Sequence, residues 1–215
     1  MDITNDKLLS NYCMILVHGA GLGSYIWEDI FKNFPLKKIN IDFPFREQPK
    51  KSILLKHSDY LEDCMDQVVI EPNTKYFLIT HSIGSIIGLH IADYLKDRLC
   101  GFVSIGGIIP KIGRNFFSSW PLPYKVFYAI GMHVLGTKPP DKVIASDLCS
   151  DLTEDQKKEV VQKYTPEAMS LYSLETPGIE TLKNVNRYYI QLSKDNAMPI
   201  KMQQVMANQL KSTHV

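Results

Sequence analysis

The strongest constraint on this chain is a repeated alternation: a short apolar run, then an amphipathic stretch long enough for a helix. Met14-Ile15-Leu16-Val17 reads as a buried strand and Tyr25 to Phe34 as the helix after it. Lys38-Ile39-Asn40-Ile41 reads as a second strand, followed by a helix from Ser58 to Ile70 with Leu61, Cys64, Met65 and Val68 at helical spacing. Tyr76-Phe77-Leu78-Ile79 and Gly101-Phe102-Val103-Ser104-Ile105 flank a third helix, Ile83 to Leu95. Short uninterrupted apolar runs joined by helical crossovers specify an α/β fold: a mostly parallel sheet with helices on both faces. The alternation stops at Pro110 and resumes near Gly178. Between them, prolines punctuate helical pieces such as Thr153 to Lys163, where Thr153 is a natural N-cap. The expected organisation is therefore a core in two parts, residues 1–109 and 179–215, with a helical cap, 110–178, inserted over one end of the sheet. In the second part Arg187 to Leu192 reads as a strand, Pro199 to Leu210 as a helix, and Thr213 to Val215 as the start of another strand.

Composition narrows the function. With 215 residues and 45% hydrophobic content, one domain with a sizeable core is expected. Lys+Arg 24 against Asp+Glu 23 gives no basic footprint for nucleic acid and no polybasic membrane patch. The cysteines Cys13, Cys64, Cys100 and Cys149 form no C-x-x-C pair, so neither a metal site nor a redox motif is expected. The polar start lacks the basic and apolar parts of a secretory signal. The stretch Trp120 to Leu135 is too short and too broken to span a membrane. These features point to a cytoplasmic protein with reduced thiols, no cofactor and no membrane span.

Three loops could carry chemistry, and all three follow strands. Ile79-Thr80-His81-Ser82-Ile83-Gly84 lies between a strand and a helix, where a nucleophile elbow holds a serine hydroxyl above the sheet. Gly84 meets the small-residue requirement two positions after Ser82, whereas Thr80 stands where a glycine is usual two positions before. The plainer reading is a serine that caps the helix. Val17-His18-Gly19-Ala20-Gly21 follows the first strand and fits no phosphate-binding glycine pattern. Acyl transfer needs two backbone N–H groups aimed at a developing oxyanion; Ala20 and Ile83 could supply them. His18 reads as a histidine that shapes this loop. Asp195 follows the late strand, on the same sheet edge as Ser82, where a carboxylate can orient an imidazole. Asp42, upstream of the serine, reads as structural.

With these residues in place the sequence resembles the α/β-hydrolases, in the compact group that includes plant methyl-ester esterases, related bacterial esterases and hydroxynitrile lyases. The similarity runs from about Met14 to Val215. It takes in His18-Gly19-Ala20-Gly21 followed by Trp27, the Ser82 elbow, the segment from Asp151-Leu152-Thr153 to Pro166-Glu167, and Tyr189-Ile190 leading to Asp195 and Gln203. The resemblance implies Ser82 as nucleophile, Asp195 as triad acid, and Ala20 with Ile83 as oxyanion hole. Gly19, His81, Trp120 and Phe127 would contact substrate. The lyases carry threonine directly after the first-loop histidine; Gly19 here favours the esterase branch.

The triad histidine departs from the pattern. In the family it follows a last strand, which this sequence does not reach. The only histidine after Asp195 is His214. A helix from Pro199 to Leu210 would carry the chain roughly 18 Å away from the catalytic edge, and Thr213 to Val215 are too few to return. The expected function is hydrolysis of a small apolar ester or related acyl compound. The alternatives are a catalytically incomplete relative that binds a small apolar ligand under the cap, and an interaction protein that uses its open sheet edge. Without a final strand, that edge beside Arg187 to Leu192 would invite self-association.

Overall fold

The apolar runs become strands that all point the same way. The computed structural model describes residues 9–48, 51 and 53–213, except the side chains of Phe127 and Leu135. Of the residues singled out above, His214, Val215 and the Phe127 side chain lie outside the described set. The strands are β1 (Tyr12–Val17), β2 (Lys37–Ile41), β3 (Lys75–His81), β4 (Leu99–Ile105) and β5 (Asn186–Ile190). They form one sheet in the order β2-β1-β3-β4-β5, with every pairing parallel. From β1 the chain moves out to β2, then returns to the other side of β1 for β3. The order therefore reverses between β1 and β3. Their C-terminal ends open the crevice in which doubly wound sheets bind ligands.

Side chains along β1 show how the two faces are filled. Cys13, Ile15 and Val17 point into the larger core, with Tyr60 and Cys64 of α2 (His57–Asp66), several residues of α3 (Gly84–Leu95), and Met206, Ala207 and Leu210 of α8 (Ile200–Leu210). Met14 and Leu16 point to the opposite face, where Trp27 covers them with Ile26, Phe31 and Leu36. Helices thus lie on both faces, but unequally. The second face is served by a 3₁₀ turn, Ser24–Trp27, and the short α1 (Glu28–Phe31). Toward β5 it thins out, and Tyr188 and Ile190 are exposed while Tyr189 between them is buried.

Several element ends differ from the sequence reading, each for a local reason. The helix expected over Tyr25 to Phe34 splits into the 3₁₀ turn and α1 and stops at Phe31. Pro35 bars Phe34 from helical geometry. The second helix ends at Asp66 rather than Ile70: the Gln67 side chain turns back onto the Asp63 and Asp42 carbonyls, and Pro72 follows. β5 ends at Ile190 rather than Leu192, because the backbone of Leu192 is bound on both sides by the Gln203 amide. Thr213 donates its N–H to the Arg187 carbonyl at 2.8 Å. After α8 the chain has therefore reached the starting end of β5, opposite Asp195.

Between β4 and β5 no strand occurs among the described residues. A 3₁₀ turn (Phe116–Ser119) leads into α4 (Leu122–Leu135), α5 (Asp141–Leu148), α6 (Glu154–Lys163) and α7 (Met169–Ser173). Thr153 caps α6 reciprocally with Gln156, through side-chain to backbone bonds at 3.4 and 3.0 Å. Within the segment Phe116 makes edge contacts with Tyr128 and Tyr172 and a tilted one with Trp120, and it is part of the larger core. None of the helices of the described residues is long and apolar enough to cross a membrane.

Candidate functional site

The turn after β3 is built around a residue in an unfavourable conformation. Ser82 has φ +51°, the left-handed region that costs a non-glycine residue about 1–2 kcal/mol. The fold holds it there from both sides. Its N–H donates to the Ile105 carbonyl at 3.1 Å, and its carbonyl accepts from Ser85 at 3.1 Å and Ile108 at 3.0 Å. Gly84 makes the turn possible, since a Cβ there would lie 2.1 Å from the His18 carbonyl oxygen. Thr80, in place of the usual glycine, is accommodated by a second glycine one helical turn on: a Cβ on Gly88 would meet the Thr80 methyl at 2.4 Å. The Thr80 hydroxyl joins a buried chain through Ser85 (2.8 Å) to Ser104 (2.9 Å), which ties β3, α3 and β4 beneath the turn.

The loop after β1 lies beside this turn. His18 is fully buried, with Nδ1 2.8 Å from the Gly19 carbonyl and Nε2 accepting from the Phe43 N–H at 3.1 Å. Those partners fix one neutral tautomer. Burial is the main cause of a pKa pushed down to about 3. His18 therefore shapes the loop, as its sequence context suggests. Asp42 is also structural, accepting from the Ser24 N–H at 2.7 Å. Gly19 packs against His81 and the Cβ of Ser82, behind the cavity described below rather than on its wall. Further along, Gly21 donates its N–H to Glu167 Oε1 at 2.9 Å and Leu22 donates to the Gly19 carbonyl at 3.2 Å. With those amides taken, no hydrogen bond among the described residues involves the Ala20 N–H. Ile83, at the N-cap of α3, likewise has no intrahelical acceptor for its amide.

Glu167, which the sequence marks only as the end of the family-like segment and to which it assigns no role, anchors this loop. It is almost wholly buried in the helical segment and touches three parts of the chain at once. Besides Gly21, its carboxylate accepts from the Tyr60 hydroxyl and pairs with Arg46. Arg46 in turn donates to the Phe43 carbonyl (3.0 Å) and the Leu22 carbonyl (2.9 Å). The Tyr164 ring fills the space beside Gly21, where a Cβ would fall 2.1 Å from it. The partners stand more than a hundred residues apart in sequence, so only the folded chain brings them together.

Asp195 lies beyond the end of β5. Its Oδ1 accepts from the N–H groups of Ala197 (2.8 Å) and Met198 (2.9 Å), while Oδ2 makes no hydrogen bond to a described residue. Oδ2 points toward Gly106, 3.7 Å from where a Cβ would stand. Burial raises the pKa of this carboxyl, and the two backbone donors work against the rise. The buried Gln203 amide holds the loop in place through Leu192 and Met198.

Ser82, Ile83, Ala20, His81, Trp120 and Asp195 all border one cavity of about 710 Å³. Its walls are mainly apolar and include Leu22, Trp27, Phe116, Ile144 and Met198. The indole N–H groups of Trp27 and Trp120 are buried without a partner in the described structure. No described histidine occupies the space beside Asp195 Oδ2. His81 turns its unpartnered Nδ1 toward Gly19, and burial lowers its pKa to about 4. His57 meets Ser173, His90 meets the Glu175 carbonyl, and His133 is exposed on α4. Among the described residues no group of three or more His, Cys, Asp or Glu side chains is arranged to hold a metal ion.

No protein-family model and no curated protein matches the sequence. Solved structures do match. An extracellular α/β-hydrolase from a Paenibacillus species superposes with a TM-score of 0.76 at 14% identity, over 95% of this chain and 88% of that one. Polyneuridine aldehyde esterase gives 0.72 at 17% identity, over 96% and 89%. A methylesterase from Arabidopsis gives 0.71 at 15% identity, over 94% and 87%. The chain has the α/β-hydrolase fold.

Proposed function

We propose that the protein is a serine hydrolase acting on a small apolar carboxylic ester or a related acyl compound. The observation that carries this reading is the strained Ser82 on the wall of an apolar cavity, with the uncommitted amides of Ala20 and Ile83 beside it. In the reaction, Ser82 Oγ forms a bond to the acyl carbon and yields its proton to a base. The carbonyl oxygen becomes an oxyanion held by the Ala20 and Ile83 N–H groups. The bond to the leaving alcohol breaks, and the alcohol takes up the proton. Water then hydrolyses the acyl-enzyme by the same sequence. Asp195 Oδ2, which makes no hydrogen bond to a described residue, is the group that would orient an imidazole base and stabilise its charged form. Trp120 and the other aromatic cap residues hold the apolar acyl group. The ester chemistry in the names of two structural neighbours agrees with this assignment.

One observation favours a second reading. No described imidazole stands between Ser82 and Asp195, and loss of the histidine alone costs a serine hydrolase on the order of a millionfold in turnover. In that reading the cavity binds an apolar ligand without cleaving it.

Hydrolysis of a short-chain p-nitrophenyl ester, compared with the Ser82→Ala variant and repeated with added imidazole, tests both. Ser82-dependent turnover without imidazole supports the hydrolase. Turnover that appears only with imidazole identifies a competent serine that lacks its base. No Ser82-dependent turnover under either condition, with quenching of Trp27 and Trp120 fluorescence by the ester, supports the binding protein.

A further inference from the structure

Helix α4 forms part of the cavity roof on one side and presents an unusual surface on the other. Its inner side sends Tyr128 into the cavity wall and packs Met132 on the core. On the outer side Leu122, Val126, Ile130 and Val134 are 74%, 47%, 59% and 71% exposed. A spacing of four residues sets them on one ridge that runs the length of the helix. The helix contains no acidic residue. Lys125 flanks the ridge and His133 lies within it. The wider segment has the same bias: from Pro110 to Pro140 every charged residue is basic, namely Lys111, Arg114, Lys125 and Lys138. The near-zero net charge of the whole chain conceals this local excess. Lys138 pairs with Asp141; no described carboxylate pairs with the other three.

We propose that this ridge is an interfacial docking surface for an anionic lipid layer. Two observations select that occupant. First, four aliphatic side chains on one convex helix expose on the order of 400 Å², about half of the roughly 800 Å² per partner that a stable protein–protein interface buries. A second copy of the chain meeting this ridge would be held weakly, whereas a fluid acyl boundary conforms to a narrow ridge without needing a complementary shape. Second, Lys125 flanks the ridge on a helix that carries no carboxylate of its own, a charge pattern attracted to anionic headgroups. Fourteen residues are too few to span a bilayer, so the helix lies in the surface plane. Exposed apolar residues of α5, Val143 and Leu148, also border the cavity. The docked orientation would therefore bring the Val143 and Leu148 side of the rim, which also carries Asp147, near the lipid, where an apolar ligand is most concentrated.

The test is co-sedimentation of the full chain with vesicles of phosphatidylcholine alone and of phosphatidylcholine mixed with phosphatidylglycerol. Binding is expected to the mixed vesicles, and to fall at least about tenfold both on pure phosphatidylcholine and in the Leu122→Glu/Ile130→Glu variant. Lys125→Gln should weaken binding to mixed vesicles by roughly fivefold. All these side chains are exposed, so circular dichroism and urea unfolding should stay unchanged. Equal binding by wild type and double variant, equal binding to both vesicle types, or no binding at all would overturn the proposal. A concentration-dependent dimer that the double variant abolishes, without vesicle binding, would assign the ridge to a second copy instead.

Discussion

Replacing Glu167 with alanine tests whether the first loop is held from the helical segment. The substitution deletes three interactions: the acceptor for the Gly21 N–H, the acceptor for the Tyr60 hydroxyl and the counter-charge of Arg46. Tyr60 is fully buried, so its hydroxyl has no water to turn to. An unsatisfied buried donor costs about 1–3 kcal/mol. Arg46 keeps its bonds to the Phe43 and Leu22 carbonyls, which limits the cost of its unpaired charge. Together these predict a loss of about 4 kcal/mol, within the 3–5 kcal/mol typical of breaking a buried pair from one side. For a domain of this size that lowers Tm by about 10 °C. Urea unfolding followed by circular dichroism measures the loss directly. The companion variant Glu167→Leu/Arg46→Met removes both charges and should be more stable than Glu167→Leu alone, because no charge is left buried without a partner. A loss below about 1 kcal/mol in Glu167→Ala, or no recovery in the double variant, would refute the clamp.

Gly84→Ala would drive a methyl group into the His18 carbonyl and should cost about 3 kcal/mol in urea unfolding; a cost under about 0.5 kcal/mol would mean that α3 can retreat from the loop. Ser82→Gly should have the opposite effect on stability, a gain of about 1 kcal/mol from relieving the left-handed φ, with complete loss of labelling by a serine-directed phosphonate. Acid should destabilise the protein well before its carboxylates are protonated. Burial holds His18 at about 3 and His81 at about 4, so the unfolded chain takes up protons below about pH 6.5 that the folded chain refuses. Each group then removes up to about 1.4 kcal/mol per pH unit as pH falls from 6.5 toward those values. Asp195, whose pKa is raised by burial, works weakly the other way at lower pH. Unfolding free energies that stay flat from about pH 6.5 to 4.5 would contradict the buried neutral state of both histidines.

What could be read from the sequence was local in origin. The strands of the core are uninterrupted apolar runs, and the crossovers carry helical periodicity, so the parallel sheet and the edge bearing Ser82, Ala20 and Asp195 could be worked out before the structure. Thr153 at the head of α6 and His18 as a loop-shaping residue were legible for the same reason, since neighbouring residues define their environments. Element ends were less legible: whether a helix stops at Phe31 or Phe34 depends on the restriction Pro35 imposes, and β5 stops where a glutamine thirteen residues past its end takes over its backbone. Glu167 was opaque because its meaning comes from Gly21, Arg46 and Tyr60, none of them near it in sequence. Thr80 looked like a defect in the elbow, and only its contact with Gly88 shows how the bulk is absorbed.

The site carries costs that a turn serving only the fold would avoid. Glycine at position 82 would make the same turn without strain. A half-buried carboxyl with one oxygen unpaired among the described residues, as at Asp195, is more expensive than the amide or hydroxyl that could cap the same loop. An amide left without an acceptor beside a cavity, as at Ala20, is a further cost. An apolar ligand that merely filled the space would use the walls of the cavity and none of these groups. A reacting acyl group would use them all: the hydroxyl to attack, the amide to hold the oxyanion, and the carboxylate to steady the base. Strain and unmet hydrogen-bonding capacity gathered on one cavity therefore favour the proposed acyl transfer over the binding reading, and the lack of an imidazole between Ser82 and Asp195 among the described residues bears on the rate such a site could reach.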